Sequence, residues 1–285
     1  MNTTNEGWVD TKTRNGECRF VTKMLQLDGQ ALRLGHQIGK GSRTPLLLFN
    51  GIGGNMELLE PIAGWMPERE VITFDIPGVG HSPLPALPYR LTGITHLAIQ
   101  VLDHFGHAQA DVLGVSWGGA VAQQFVRSHS KHCRRLILCA TSTGTIMVPS
   151  NPLVALKLAT PLRFTNKGYA RRIAGDIYGG DFRRCPDLAV ETFKHIKWQS
   201  RFGYYLQLAA AVGWTSVHWL HRIEQPTLVM AGNDDPLVPL LNARLMHALI
   251  PQSEMKVFDC GHLFLVTRAK EAAFAINEFL DRSPA

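Results

Sequence analysis

Residues 110–125, ADVLGVSWGGAVAQQF, constrain the fold more than any other stretch. Asp111–Val115 is short, apolar and partly β-branched, the composition of a buried strand. From Gly118 onward small residues dominate, which predicts a helix packed closely on a neighbour. Ser116 stands between the two, inside Gly114-x-Ser116-x-Gly118. The spacing has meaning because it falls at a strand–turn–helix junction. A serine on so sharp a turn takes strained backbone angles, and side chains two residues to either side would collide. Glycines at 114 and 118 remove that clash and leave the hydroxyl projecting. The helix behind it turns its first N–H groups, and the positive end of its dipole, toward the same point.

The rest of the chain repeats this alternation. Cys18–Leu27 and Ala31–Ile38 read as two strands joined at Asp28-Gly29, a hairpin signal. Thr44–Asn50 is an apolar strand running into Gly51-Ile52-Gly53-Gly54. A helix follows over Glu57–Trp65, then a strand over Glu70–Asp75. Thr92–Gly106 has helical apolar spacing with Thr92 as its cap. After the Ser116 unit come a strand at Arg135–Ala140, a strand at Pro226–Gly232, a helix at Leu240–Ala248, a strand at Glu254–Asp259 and a helix at Thr267–Leu280. Such alternation predicts an α/β fold with a mostly parallel central sheet and helices on both faces. From Thr141 to His221 the alternation breaks into proline-punctuated, aromatic-rich helical stretches, the mark of an inserted helical cap. The expected division is a disordered N-terminus at 1–16, a core at 17–143 and 222–285, and the cap at 144–221.

Composition excludes several classes. The formal charge is +6, but the arginine pairs at 134–135, 171–172 and 183–184 lie apart, so no nucleic-acid-binding stripe forms. Five cysteines, Cys18, Cys133, Cys139, Cys185 and Cys260, are odd in number and form no CxxC pair, which suits a reducing compartment. The polar N-terminus has no apolar core of the signal-peptide kind. No apolar run reaches the roughly 18 residues that a membrane helix needs. A soluble intracellular protein is expected. The histidines and cysteines lack metal-ligand spacing, and Pro77-Gly78-Val79-Gly80 is too short for a dinucleotide fingerprint, so neither metal nor cofactor is expected.

A projecting serine becomes a nucleophile only with a base and an acid to orient that base. In this architecture they follow the serine as acid, then histidine. The loop after the strand at 226–232 holds Asn233-Asp234-Asp235-Pro236, and the loop after 254–259 holds Cys260-Gly261-His262. Both lie at strand C-terminal ends, where open α/β sheets place their sites. The expected triad is Ser116, Asp235 and His262, with Asp234 as the competitor of Asp235. A developing oxyanion would be held by the N–H groups of Trp117 and of Ile52 in the Gly-rich turn. A serine at 116 disfavours the dehalogenases and epoxide hydrolases of this architecture, which use an Asp nucleophile.

Taken together these residues resemble the α/β-hydrolase superfamily. A narrower resemblance rests on Asn50-Gly51-Ile52-Gly53, Phe74–Gly80, Gly114–Ala120 with Gln123-Gln124-Phe125, Ile177-Tyr178-Gly179-Gly180 with Phe182-Arg183-Arg184, Gly213–Ser216 with His218–His221, and Gly261–Leu265. From about residue 20 to 280, cap included, the chain resembles the intracellular medium-chain-length poly(3-hydroxyalkanoate) depolymerases. The resemblance implies an enzyme on storage-polyester granules in bacterial cytoplasm, releasing 3-hydroxy fatty acids. It places that family's triad on the same Ser116, Asp235 and His262. Short-chain relatives often carry cysteine in this box, so Ser116 leans to the medium-chain class. The chain departs from the pattern in its extra polar N-terminal stretch and at Asn233 and Cys260, where acids are expected. Within the cap, Tyr205, Leu208, Ala209 and Val212 share a helical face, read either as packing the cap onto the core or as lining an acyl channel or touching the polymer surface. The competing activity is a hydroxyacyl thioesterase or transacylase, or a small-ester hydrolase of the same fold.

Overall fold

A computed structural model describes residues 20–283 apart from 195 and 197–199; Cys18 and the N-terminal stretch expected to be disordered lie outside the described residues. The strands are β1 (Val21–Leu27), β2 (Gln30–Gln37), β3 (Leu46–Phe49), β4 (Val71–Phe74), β5 (Ala110–Val115), β6 (Cys133–Cys139), β7 (Thr227–Gly232) and β8 (Ser253–Phe258). They form one sheet in the order β1-β2-β4-β3-β5-β6-β7-β8. The first two strands pair antiparallel through the Asp28-Gly29 turn, and β2 meets β4 antiparallel. From β4 to β8 every pairing is parallel.

Helices cover both faces. They are α1 (Glu60–Gly64), α2 (Leu91–His104), α3 (Trp117–Ser128), α4 (Pro152–Leu158), α5 (Leu162–Thr165), α6 (Lys167–Tyr178), α7 (Gly180–Arg184), α8 (Asp187–Phe193), α9 (Arg201–Ala211), α10 (Leu241–Leu249), α11 (Phe264–Thr267) and α12 (Ala269–Leu280). The period of two sorts each strand between the faces. Leu47 and Phe49 join Ile94, Ala98, Val121, Phe125 and Met246 in a cluster shared with α2, α3 and α10. Leu46 and Leu48 join Ile62, Ala63, Ala272 and Ile276 in a second cluster under α1 and α12. This explains why β3 reads Leu-Leu-Leu-Phe rather than alternating: both faces are buried. Helices α4–α9 all fall between β6 and β7, and Val154, Ile173, Ile177, Phe182 and Phe193 from this segment share a third cluster.

Four local expectations are corrected. The helix over Glu57–Trp65 is a 3-10 turn at Met56–Leu59 followed by the short α1, with Pro61 in its first turn. Thr92 is not the cap of α2: Arg90 takes that place without a side-chain bond, and Thr92 lies inside the first turn, its carbonyl accepting from Thr95 Oγ1 at 2.8 Å. The helix over Thr267–Leu280 is two pieces broken at Arg268, whose φ of −123° interrupts the spiral. The buried face of α9 is Gly203, Tyr204, Gln207 and Ala210; Tyr205, Ala209 and Val212 face outward. The run is apolar on more than one face, so contacts chose the face: Gly203 packs on the backbone of Gly78 so closely that a Cβ would lie 1.8 Å from the Gly78 carbonyl oxygen.

Candidate active site

β5 is buried at all six residues and runs to the middle of the sheet between β3 and β6. Its chain turns at Ser116, with φ 54° and ψ −119°, and enters α3 at once. A non-glycine residue in this region is strained and must be held. Ser116 N–H donates to the Cys139 carbonyl at 2.9 Å, and its own carbonyl accepts from Gly119 N–H at 2.9 Å and Thr141 Oγ1 at 2.7 Å. The flanking glycines answer two separate contacts. A Cβ on Gly114 would lie 2.2 Å from the Gly118 carbonyl oxygen, and one on Gly118 would lie 2.2 Å from that of Phe49.

β3 ends beside this turn in the Gly-rich loop. Asn50 braces the loop from within, its Oδ1 accepting from Gly51 N–H at 2.8 Å and its Nδ2 donating to the Asn55 carbonyl at 2.6 Å. Gly53 N–H donates to Gln207 Oε1 at 2.8 Å, while Trp117 Nε1 donates to the Gln207 carbonyl at 2.8 Å. Gln207 of α9 therefore ties the two loops that carry Ile52 and Trp117. Among the described residues the backbone N–H groups of Ile52 and Trp117 donate to no protein acceptor. Sequence reading missed Gln207. Its signal was a lone amide inside an apolar helical run, Tyr-Tyr-Leu-Gln-Leu-Ala.

The loops after β7 and β8 bring Asp235 and His262 together. Asp235 Oδ2 lies 2.7 Å from His262 Nδ1, while Oδ1 accepts from the N–H groups of Leu237 and Val238, each at 2.9 Å. Both side chains are buried. His262 N–H donates to the Tyr178 carbonyl at 2.7 Å, which anchors the loop to the end of α6. Asp234 turns the other way. It accepts from Gly180 N–H at 2.7 Å and from Arg183 Nε at 2.9 Å, and these partners hold its carboxyl below the usual range, the Arg183 bond foremost. Asn233 Nδ2 donates to Asp259 Oδ1 at 3.0 Å, and Cys260 is buried, its thiol pushed up to about 12 by that burial.

Ser116, His262 and Ile52 line one cavity, with Leu58, Leu158, Phe164, Phe193, Leu237 and Leu263 supplying an apolar wall. Three of those six, Leu158, Phe164 and Phe193, come from the helices between β6 and β7. A buried carboxylate, the histidine it orients and a serine on a strained turn, all beside an apolar cavity, can support acyl transfer through a covalent intermediate.

The chain matches the α/β hydrolase fold family over residues 44–269 and belongs to it. It is a hydrolase of that family, and its likeness extends to particular members. It is 47% identical over 264 residues to the poly(3-hydroxyalkanoate) depolymerase of Ectopseudomonas oleovorans, covering 92% of this chain and 93% of that one. The 2-hydroxymuconate semialdehyde hydrolase of Pseudomonas sp. strain CF600 is 27% identical, over 86% of this chain and 89% of its own length. A crystal structure of a hydrolase from Pseudomonas aeruginosa PA01 superposes with a TM-score of 0.77 at 23% identity, covering 92% of this chain and 98% of that one. Among the described residues no helix is long and apolar enough to cross a membrane.

Proposed function

We propose that the protein is a serine ester hydrolase that degrades medium-chain-length poly(3-hydroxyalkanoate) to 3-hydroxy fatty acids at the surface of cytoplasmic storage granules. The observation that carries this reading is the buried Asp235–His262 pair beside Ser116 in an apolar cavity, in a chain 47% identical to a depolymerase of that polymer class. Residues 17–143 and 222–285 form the catalytic core and 144–221 a cap over it; the unbroken run of helices α4–α9 between β6 and β7 supports that division.

In the proposed reaction Asp235 accepts the Nδ1 proton of His262 in a hydrogen bond and so leaves Nε2 free to act as base. His262 takes the proton of Ser116 as its Oγ attacks the ester carbonyl. The N–H groups of Ile52 and Trp117 stabilise the resulting oxyanion. His262 then protonates the departing alcohol, and water releases the acyl group by the same steps in reverse order. The apolar wall takes the alkyl side chain of the monomer, and large exposed apolar side chains on the cap (Leu153, Leu156 and Phe202 among them) face the polymer.

The test is acid release from amorphous medium-chain polyester granules by the purified protein, with Ser116→Ala beside it. Wild type should release 3-hydroxy acids, and Ser116→Ala should fold normally yet lose roughly a thousandfold or more of the rate. Cleavage of p-nitrophenyl octanoate without release from granules would move the assignment to a thioesterase or small-ester hydrolase.

A further inference from the structure

Arg163 on α5 is only 3% exposed and forms part of the wall of the cavity that Ser116 and His262 also line. Its Nη1 donates to Tyr204 Oη at 2.9 Å, to the Thr160 carbonyl at 3.2 Å and to the Leu158 carbonyl at 3.5 Å. The guanidinium lies over the Phe164 ring at 4.3 Å and the Tyr204 ring at 5.2 Å. Its Nε is buried with no acceptor, and among the described residues no carboxylate forms an ion pair with Arg163.

The other buried arginines are compensated. Arg69 pairs with Asp111 at 3.3 Å and with Asp281. Arg135 donates to the carbonyls of Phe279 and Arg282 at the negative end of α12. Arg163 has carbonyls near the end of α4 for one nitrogen only. A cation held out of water without a counter-charge is costly unless something supplies one. Burial works against its charge, but the phenols of Tyr178 and Tyr204 outweigh it and hold the group above its ordinary pKa. A planar fork of donors with spare capacity matches a carboxylate better than an ester carbonyl.

We propose that Arg163 is the receptor for the free carboxylate at the end of a hydroxyacyl chain, so that the site engages polyester by its carboxylate terminus. This rests on the depolymerase reading above. Ser116 Oγ attacks the last ester carbonyl, and the bond between that carbonyl carbon and the alkoxy oxygen breaks. His262 returns the proton to that oxygen, and the terminal unit leaves as a 3-hydroxy acid whose carboxylate Arg163 holds. The shortened chain stays on Ser116 until water releases it with a new carboxylate end, ready for another round.

The experiment compares kcat/KM of the full-length protein on the 3-hydroxyoctanoate dimer as free acid and as methyl ester, in wild type, Arg163→Lys and Arg163→Met. Wild type should favour the free acid by about ten- to a hundredfold, the span of one charge-assisted contact. That ratio should fall to about one in Arg163→Met and stay partly intact in Arg163→Lys. Equal cleavage of acid and ester by wild type, or an acid preference that survives in Arg163→Met, overturns the proposal while leaving the depolymerase reading in place. Cleavage of p-nitrophenyl octanoate but of neither dimer overturns both. Should Arg163→Met fail to fold, the wild-type ratio still decides, together with competitive inhibition by 3-hydroxyoctanoate that its methyl ester does not share.

Discussion

Asp235 gives one carboxylate oxygen to two backbone N–H groups and the other to His262, whereas Asp234, its chain neighbour, is spent on Gly180 and Arg183. The two should therefore respond differently to the same substitution. Asp235→Asn turns an amide toward His262 Nδ1 and forces the wrong tautomer, so kcat should fall by about ten-thousandfold. Asp234→Asn keeps an acceptor for Gly180 and touches a half-exposed pair, so unfolding free energy should change by no more than about 1 kcal/mol. Steady-state kinetics and urea unfolding on both variants check this; similar kcat losses in the two would contradict it. Asp75 makes a separate prediction. It is buried, and that burial pushes its carboxyl from 3.8 up to about 6, against the pull of Arg33 at 3.4 Å. Between those two values the folded chain holds a proton that the unfolded chain has released. Stability from this group is then present at low pH and declines as pH rises through that window, by about 3 kcal/mol for two units. Asp75→Asn should flatten the slope between about pH 4 and 6, measured as the urea midpoint of each protein; parallel slopes would refute it.

The junction of α6 and α7 is the element that joins the segment between β6 and β7 to the loops carrying Asp235 and His262. Gly179 there has φ 62° and ψ −159°, a conformation essentially confined to glycine. A Cβ on it would lie 1.8 Å from the Asp234 carbonyl oxygen, and one on Gly261 would lie 1.8 Å from that of Tyr178. Backbone thus packs on backbone beside both Asp235 and His262, which gives the Tyr178-Gly179-Gly180 motif a physical meaning. Gly179→Ala should cost roughly 3 kcal/mol of stability, through backbone strain and a clash with immovable main chain. It should also lower turnover, because the turn cannot yield without moving the loops behind it. Urea unfolding and kcat measured together test this; an unchanged midpoint would mean the turn can shift freely.

For the molecule as a whole, the sheet supplies a rigid platform and the six helices between β6 and β7 supply one wall of the cavity. Those helices also expose apolar side chains. Leu153 and Leu156 share one face of α4, 65% and 70% exposed, and Phe202 on α9 is 72% exposed. If they meet polymer, Leu153→Ser combined with Leu156→Ser should slow hydrolysis of granules several-fold while p-nitrophenyl octanoate cleavage stays within about twofold. Equal loss on both substrates would place these leucines in folding rather than in surface contact.

The Ser116 turn, the parallel sheet and the order of acid before histidine were all legible in the chain. Each is written in local terms: glycines where a Cβ cannot fit, strands buried on both faces, polar residues just past strand ends. Contacts between distant segments carry no such local mark. Which of two adjacent aspartates meets His262 depends on where Arg183 and Gly180 arrive from another part of the chain. Which face of α9 turns inward depends on the close approach of Gly203 to Gly78, since the run is apolar on more than one face. Arg163 and Gln207 looked like ordinary polar residues in an apolar segment. Their meaning arises from burial, which leaves a guanidinium nitrogen without a partner in one case and ties two loops together in the other. Short-range sterics fix backbone conformation and can be read along the chain, whereas desolvation and pairing act between residues that only the folded packing brings together.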